Sequence, residues 1–187
     1  MKRLFIAITY SPEPWLQTLT HNLKNGMSKM DKTNWVDDHL YHITIKFLGN
    51  IREEKIPSIK NILSQCVQNT DSFDLQLDQI KAFGSTYHPR VLIISALPHC
   101  TMQQLHQNIE NKLQTIGLKS DFGNFVPHLT LARIHALDDK KMFWNTINRY
   151  QINETHIIPV NKIILYESIL TKGYQPRYVA LEEFRLK

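Results

Sequence analysis

The sequence predicts an α+β protein with mainly antiparallel strands, and three observations carry the prediction. Strand-like and helix-like stretches mix without strict βαβ alternation, which argues against a doubly wound parallel sheet. No Pro/Gly/Ser-rich linker divides the 187 residues, and at 42% hydrophobic they suffice for one substantial core. The strand pattern of Tyr41–Leu48 returns at Val126–Arg133. One domain spanning 1–187, with two lobes, is the expectation.

Residues 3–9 are short and bulky-apolar, as in a strand. Ser11 offers a helix N-cap with Pro12 at the first helical position. Trp15, Leu19 and Leu23 then recur at four-residue intervals until Gly26. Residues 27–38 are polar and read as a connection. Tyr41–Leu48 reads as a strand closed by Gly49-Asn50, and Ile56, Ile59, Leu63 and Cys66 give residues 53–68 one apolar helical face. Strands are expected at Phe73–Ile80 and Val91–Ala96, around a loop 84–90 built of turn-forming residues. Met102, Leu105, Ile109, Leu113 and Ile116 mark a third helix, stopped by Gly117. The strand at Val126–Arg133, a short helix near 139–150 and late strands at about 156–166 and 177–184 complete the pattern.

The formal charge of +5 is spread along the chain rather than gathered in a tail. A positive excess favours an anionic partner, although many basic proteins bind no nucleic acid. Cys66 and Cys100 lie in no metal-like or redox-like spacing, and each sits among apolar residues as a buried thiol would. Lys2-Arg3 followed by Leu4–Ile8 imitates a signal peptide, but the apolar run is short and Ser11-Pro12-Glu13-Pro14 offers no small-residue cleavage site. No stretch reaches membrane-span length, so a cytoplasmic protein without a membrane partner is expected.

The informative feature is a pattern that occurs twice. Tyr41-His42-Ile43-Thr44-Ile45 and Pro127-His128-Leu129-Thr130-Leu131 both read His, aliphatic, Thr, aliphatic, with the histidines 86 positions apart (128 − 42). Side chains alternate along a strand, so His and Thr at i and i+2 share one face while the aliphatics pack beneath. Two such strands together would set two imidazoles and two hydroxyls around one cleft. That set suits phosphate-ester hydrolysis without a metal or cofactor. A neutral His takes a proton from water and a protonated His gives one to the leaving oxygen, both forms being accessible near a pKa of about 6.5. Threonine hydroxyls donate to non-bridging oxygens, whose charge must be held in the transition state. A single His-x-Thr is ordinarily structural, since Thr is a good strand former whose hydroxyl satisfies backbone groups. Two copies in matched apolar frames weigh against that plain reading.

Over nearly its whole length the sequence resembles the 2H phosphoesterase superfamily, and specifically the RNA 2′,3′-cyclic phosphodiesterases formerly called 2′–5′ RNA ligases. The resemblance rests on Arg3-Leu4-Phe5-Ile6-Ala7, on His42 through Gly49, on Pro127 through Arg133, on Tyr166-Glu167-Ser168 and on Gly173…Tyr178…Leu181. The resemblance implies a bilobal, pseudo-symmetric fold with outer helices and a central cleft lined by one His-x-Thr strand from each lobe. It implies metal-free hydrolysis of a cyclic phosphate on RNA, or on a cyclic nucleotide, to a 2′-phosphomonoester by a monomeric enzyme. It further implies His42 as proton donor, His128 as proton acceptor, and Thr44, Thr130 and Arg133 as substrate-binding residues. The family often has Leu where Ile43 and Ile45 stand, and loop 84–90 matches it only loosely.

Other residues are less decisive. Lys46, four positions past His42, is expected on the His42 face, near a phosphate or solvated at the strand end. Ideal alternation puts Arg133 on the face opposite His128; a substrate-facing position, which the resemblance implies, needs a twist or bulge. Phe5, Phe47, Tyr87 and Tyr166 are candidates to stack on a base, though aromatics in strands are more often core. The remaining histidines (His21, His39, His88, His99, His106, His135 and His156) show no metal-ligand spacing. Two rival activities share these residues: 2′–5′ ligation by microscopic reversibility, and a nucleotide- or RNA-binding module without turnover.

Overall fold

The computed structural model describes residues 1–120 and 123–187. In chain order the elements are β1 (Lys2–Thr9), α1 (Pro14–Gly26), β2 (Lys32–Trp35), β3 (His42–Ile51), α2 (Ile56–Val67), β4 (Phe73–Gly84) and β5 (Pro89–Ala96). They continue as α3 (Cys100–Gln114), β6 (His128–Ala136), α4 (Lys140–Arg149), β7 (Ile157–Val160), β8 (Lys162–Ile169) and β9 (Arg177–Arg185). The main path of the curled sheet runs β7-β4-β5-β6-β3-β1-β8-β9, antiparallel throughout, with β2 beside β6. The α+β class and the two-lobed, pseudo-symmetric arrangement are as the sequence predicts. The lobes meet at a short seam where Ile43 pairs with Leu129.

The repeat is wider than the two motifs. β3 pairs with β1 as β6 pairs with β5: Ala7–Thr44 corresponds to Ile93–Thr130, and Thr9–His42 to Ser95–His128, each shifted by 86 positions. The two halves also exchange material. β4, from the first half, extends the second lobe beside β5, while β8, from the second half, extends the first lobe beside β1. Helices cross in the same way, α2 packing on α3 and α1 on α4. At the second contact the Thr146 hydroxyl donates to the Gly26 carbonyl. A Cβ on Gly26 would lie 2.6 Å from Thr146 Cγ2, so only glycine allows this approach.

Each central strand carries an extra residue at a matching slip of register, and β3 slips a second time at Leu48. Ile6 and Ala7 oppose Lys46 and Thr44, leaving Ile45 over; Leu92 and Ile93 oppose Ala132 and Thr130, leaving Leu131 over. Such a bulge reverses the alternation beyond it. Ile45 and Lys46 are consequently both buried, as are Leu131 and Ala132. Lys46 therefore departs from expectation. It points away from His42, is 2% exposed and forms a buried ion pair with Glu110 of α3. Two buried charges persist because each neutralises the other, since desolvating either alone costs several kcal/mol.

Other details differ from the sequence reading. Helix α1 starts at Pro14 and is capped at Glu13 without a side-chain hydrogen bond, so Ser11-Pro12 lies outside it. Its buried face is Leu16, Thr20 and Leu23, whereas Trp15 stacks on His156 with centroids 3.6 Å apart. The polar stretch 27–38 contains β2. β3 runs on through Gly49, whose φ of +75° favours glycine, to Ile51. The stretch 156–166 divides between β7 and β8, which pair with different strands. Cys66 is buried, but Cys100, at the start of α3, is exposed. Among the described residues no helix is long and apolar enough to cross a membrane.

Candidate active site

Antiparallel pairing of Ile43 with Leu129 sets His42 beside Thr130 and Thr44 beside His128. All four lie on the face away from the core, because Ile43 and Leu129 between them are fully buried. They are half-buried, and the two strands lie side by side in one curled sheet rather than on opposed walls. The bulge at Leu131 returns Arg133 to this same face, where it is exposed.

The imidazoles are held alike. His42 Nδ1 lies 2.7 Å from the Leu40 carbonyl and His128 Nδ1 lies 2.8 Å from the Val126 carbonyl, each two residues upstream. A carbonyl only accepts, so Nδ1 carries the proton in both and Nε2 is the free nitrogen. Neutral, Nε2 offers a lone pair; protonated, it offers a proton. Burial lowers the pKa of His42, the bond to Leu40 opposes this, and the nearby charges of His128 and Arg133 lower it further. His128 is lowered by burial and by Arg133, against the bond to Val126. An arriving phosphate anion reverses both charge effects.

Aromatic rings brace the histidines. Phe5 lies 5.1 Å from the His42 ring and stacks on Tyr166 at 5.2 Å, so Phe5, 3% exposed, supports the site from below and is no open stacking platform. Tyr178 of β9 stands edge-on to His42 at 5.2 Å, and Phe83 of β4 edge-on to His128 at 4.8 Å. Burial raises the Tyr178 pKa, while the charges of Arg133 and Arg3 lower it. Phe47 is 44% exposed beneath the Arg3 guanidinium, 4.8 Å from its ring centre. Tyr87 is exposed beside His88 and Arg90 in a separate hollow. Sequence reasoning misses the site roles of Tyr178, Phe83 and Arg3, whose places depend on pairings far apart in the chain. Among the described residues no cluster of three or more His, Cys, Asp or Glu is arranged to hold a metal ion.

Residues 9–167 match the family described as the 2′-5′ RNA ligase superfamily. A Methanocaldococcus jannaschii protein named RNA 2′,3′-cyclic phosphodiesterase is 30% identical, over 97% of this chain and 99% of that one. One of the same name from Thermotoga maritima is 27% identical over 88% and 94%. Among solved structures, a Thermus thermophilus protein superposes with a TM-score of 0.79 at 23% identity, covering 98% of this chain and 97% of that one. E. coli LigT complexed with 3′-AMP superposes at 0.72 and 20% identity, covering 99% and 98%. These structural likenesses concern the fold. With two matched histidine strands inside the matched span, the chain belongs to the 2′-5′ RNA ligase superfamily and is a 2H phosphoesterase.

Proposed function

We propose that this enzyme hydrolyses 2′,3′-cyclic phosphate ends of RNA to 2′-phosphomonoesters by metal-independent catalysis at His42 and His128. The observation that carries the reading is the matched tethering of the two imidazoles, each with Nδ1 on a backbone carbonyl and Nε2 free. A 2′-phosphate product requires cleavage of the P–O3′ bond, with water in line opposite O3′. His128 takes a proton from that water through Nε2, and the His42 imidazolium gives one to O3′. Thr44, Thr130 and Arg133 donate to the non-bridging oxygens as charge builds on them. The substrate anion itself raises the proton affinity of both imidazoles, so the acid is charged when the substrate is bound. The whole chain, 1–187, acts as one catalytic domain and as a monomer, with cyclic nucleotides as minimal substrates. The names of the relatives and the basic charge of the chain support this substrate class.

The test is a short RNA bearing a 2′,3′-cyclic phosphate, incubated with exhaustively EDTA-treated enzyme and followed by phosphorus NMR. The expected product is the 2′-phosphate. Loss on chelation with rescue by Mn²⁺ or Zn²⁺ would overturn the metal-independent mechanism, and binding without conversion would leave a nucleotide-binding module. A 3′-phosphate would reverse the substrate between the histidines. A sulfur leaving group at the 3′ position should rescue His42→Ala more than His128→Ala, and the opposite pattern would swap their roles.

A further inference from the structure

Beside the phosphate site lies a cavity that shares His42 with it and whose other walls the chemistry above does not use. It has a volume of about 620 Å³, within the roughly 300–1,000 Å³ typical of small-ligand sites. It reaches His42, but His128, Thr44, Thr130 and Arg133 are not in its lining. Its far side is the connection between β8 and β9 with the first residues of β9. Tyr174 there is 80% exposed, and Arg177 is exposed with no ion pair among the described residues. Gln175 Nε2 donates to the Trp35 carbonyl at 2.6 Å and pins this connection to the end of β2. Asp37 and His39 add further polar groups to the lining.

These groups describe a ligand. The cyclic phosphate has its own donors in the two threonines and Arg133, which leaves Arg177 open to a second anion. Tyr174 offers an open π-face, which bases accept whatever their identity. Asp37 only accepts, and suits the amino and hydroxyl donors that a nucleoside brings and a bare phosphate lacks. On an RNA end the group with its own phosphate and base next to the cyclised nucleotide is its 5′ neighbour.

We infer that this cavity is a subsite for the penultimate nucleotide, with its phosphodiester on Arg177 and its base against Tyr174. The inference rests on the proposed activity, which it deepens by giving the enzyme a reason to prefer an RNA end over a free cyclic nucleotide. Kinetics on a 2′,3′-cyclic mononucleotide and on a dinucleotide ending in the same cyclised residue test it. Arg177→Ala and Tyr174→Ala should each lower kcat/KM for the dinucleotide roughly tenfold. Both should leave the mononucleotide within about twofold, since neither side chain touches the catalytic histidines. Equal losses on both substrates would make the cavity the terminal base's site, and no loss on either would leave it without a role; either result overturns the inference. Failure of the wild-type enzyme to cleave either compound would count against the proposed activity instead. The subsite would then be judged by calorimetric binding of the intact dinucleotide, which Arg177→Ala should weaken and which, if unchanged, would also overturn it.

Discussion

Up to their bulges, β3 and β6 carry the same residues in the same places: an imidazole tied to the carbonyl two residues before it, a buried aliphatic, a threonine on the open face. Beyond the bulges they part. Where β3 turns Lys46 into the core and Phe47 outward, β6 turns Ala132 inward and Arg133 outward. The difference separates what proton transfer demands from what the substrate's shape demands. An acid and a base are nearly interchangeable, so symmetry serves them. A cyclic phosphate on a nucleotide has two unlike sides, and the asymmetric positions are where a strand pair can respond. The inward lysine of β3 also shows that a buried cation is accommodated with Glu110 reaching across from the other half of the chain.

The largest expected effect tests the symmetric part. His42→Ala and His128→Ala should each lower kcat by roughly 10²-fold or more, with the double variant little worse than either. Retention of a tenth of wild-type turnover by one of them would mean that the two strands are alike in form but not in work.

Next comes the asymmetric pair. Lys46→Ala removes the cation that balances buried Glu110 and should cost about 3–5 kcal/mol in urea unfolding. Lys46→Met combined with Glu110→Leu should recover part of that loss, since His106 also lies 3.6 Å from the Glu110 carboxylate. A single variant as stable as wild type would remove the ion pair from any structural role.

Thr44→Val and Thr130→Val keep shape and remove one donor each, and about 3 kcal/mol of transition-state stabilisation should go with it. Unequal losses, read as kcat at unchanged thermal midpoint, would show which side of the phosphate each hydroxyl serves.

The smallest effect is on pH. Arg133 disfavours the imidazolium form of both histidines, so Arg133→Gln makes both easier to protonate. Both pKa values rise in the free enzyme, and the bell of kcat/KM against pH should move to higher pH. For the same reason the wild-type kcat profile should lie at higher pH than its kcat/KM profile, because bound phosphate acts on the imidazoles as loss of Arg133 does. An unmoved bell in Arg133→Gln would place that charge too far away to matter.

The parts of this site readable from sequence are those set by local alternation. His42 with Thr44 and His128 with Thr130 follow from period two, and the apolar periods of α2 and α3 locate those helices. The bulges are not readable in this way. Ile45 and Leu131 look like ordinary inward residues, and only the partner strand's register makes them supernumerary. Simple alternation accordingly puts Lys46 on the wrong face, and the outward turn of Arg133 has no local signal beyond the family resemblance. β2 escapes notice because Lys32-Thr33-Asn34-Trp35 has no apolar face of its own and is a strand only because β6 lies beside it. Tyr178 sits over His42 through a hairpin whose partner strand pairs with β1, at the opposite end of the chain, and no window of sequence contains that relation.

The exchange of β4 and β8 between halves bears on how the enzyme can be taken apart. A polypeptide ending after β4 would carry a strand whose partner lies in the missing piece, and its own first strand would present a bare edge where β8 belongs. Neither piece is a module, and recombination at the midpoint of the gene would yield no half-enzyme. Clasped in this way, the lobes cannot drift apart along their short seam without each drawing a strand out of the other. The distance between the two histidines is fixed less by the bond line between their strands than by the path of the chain around it.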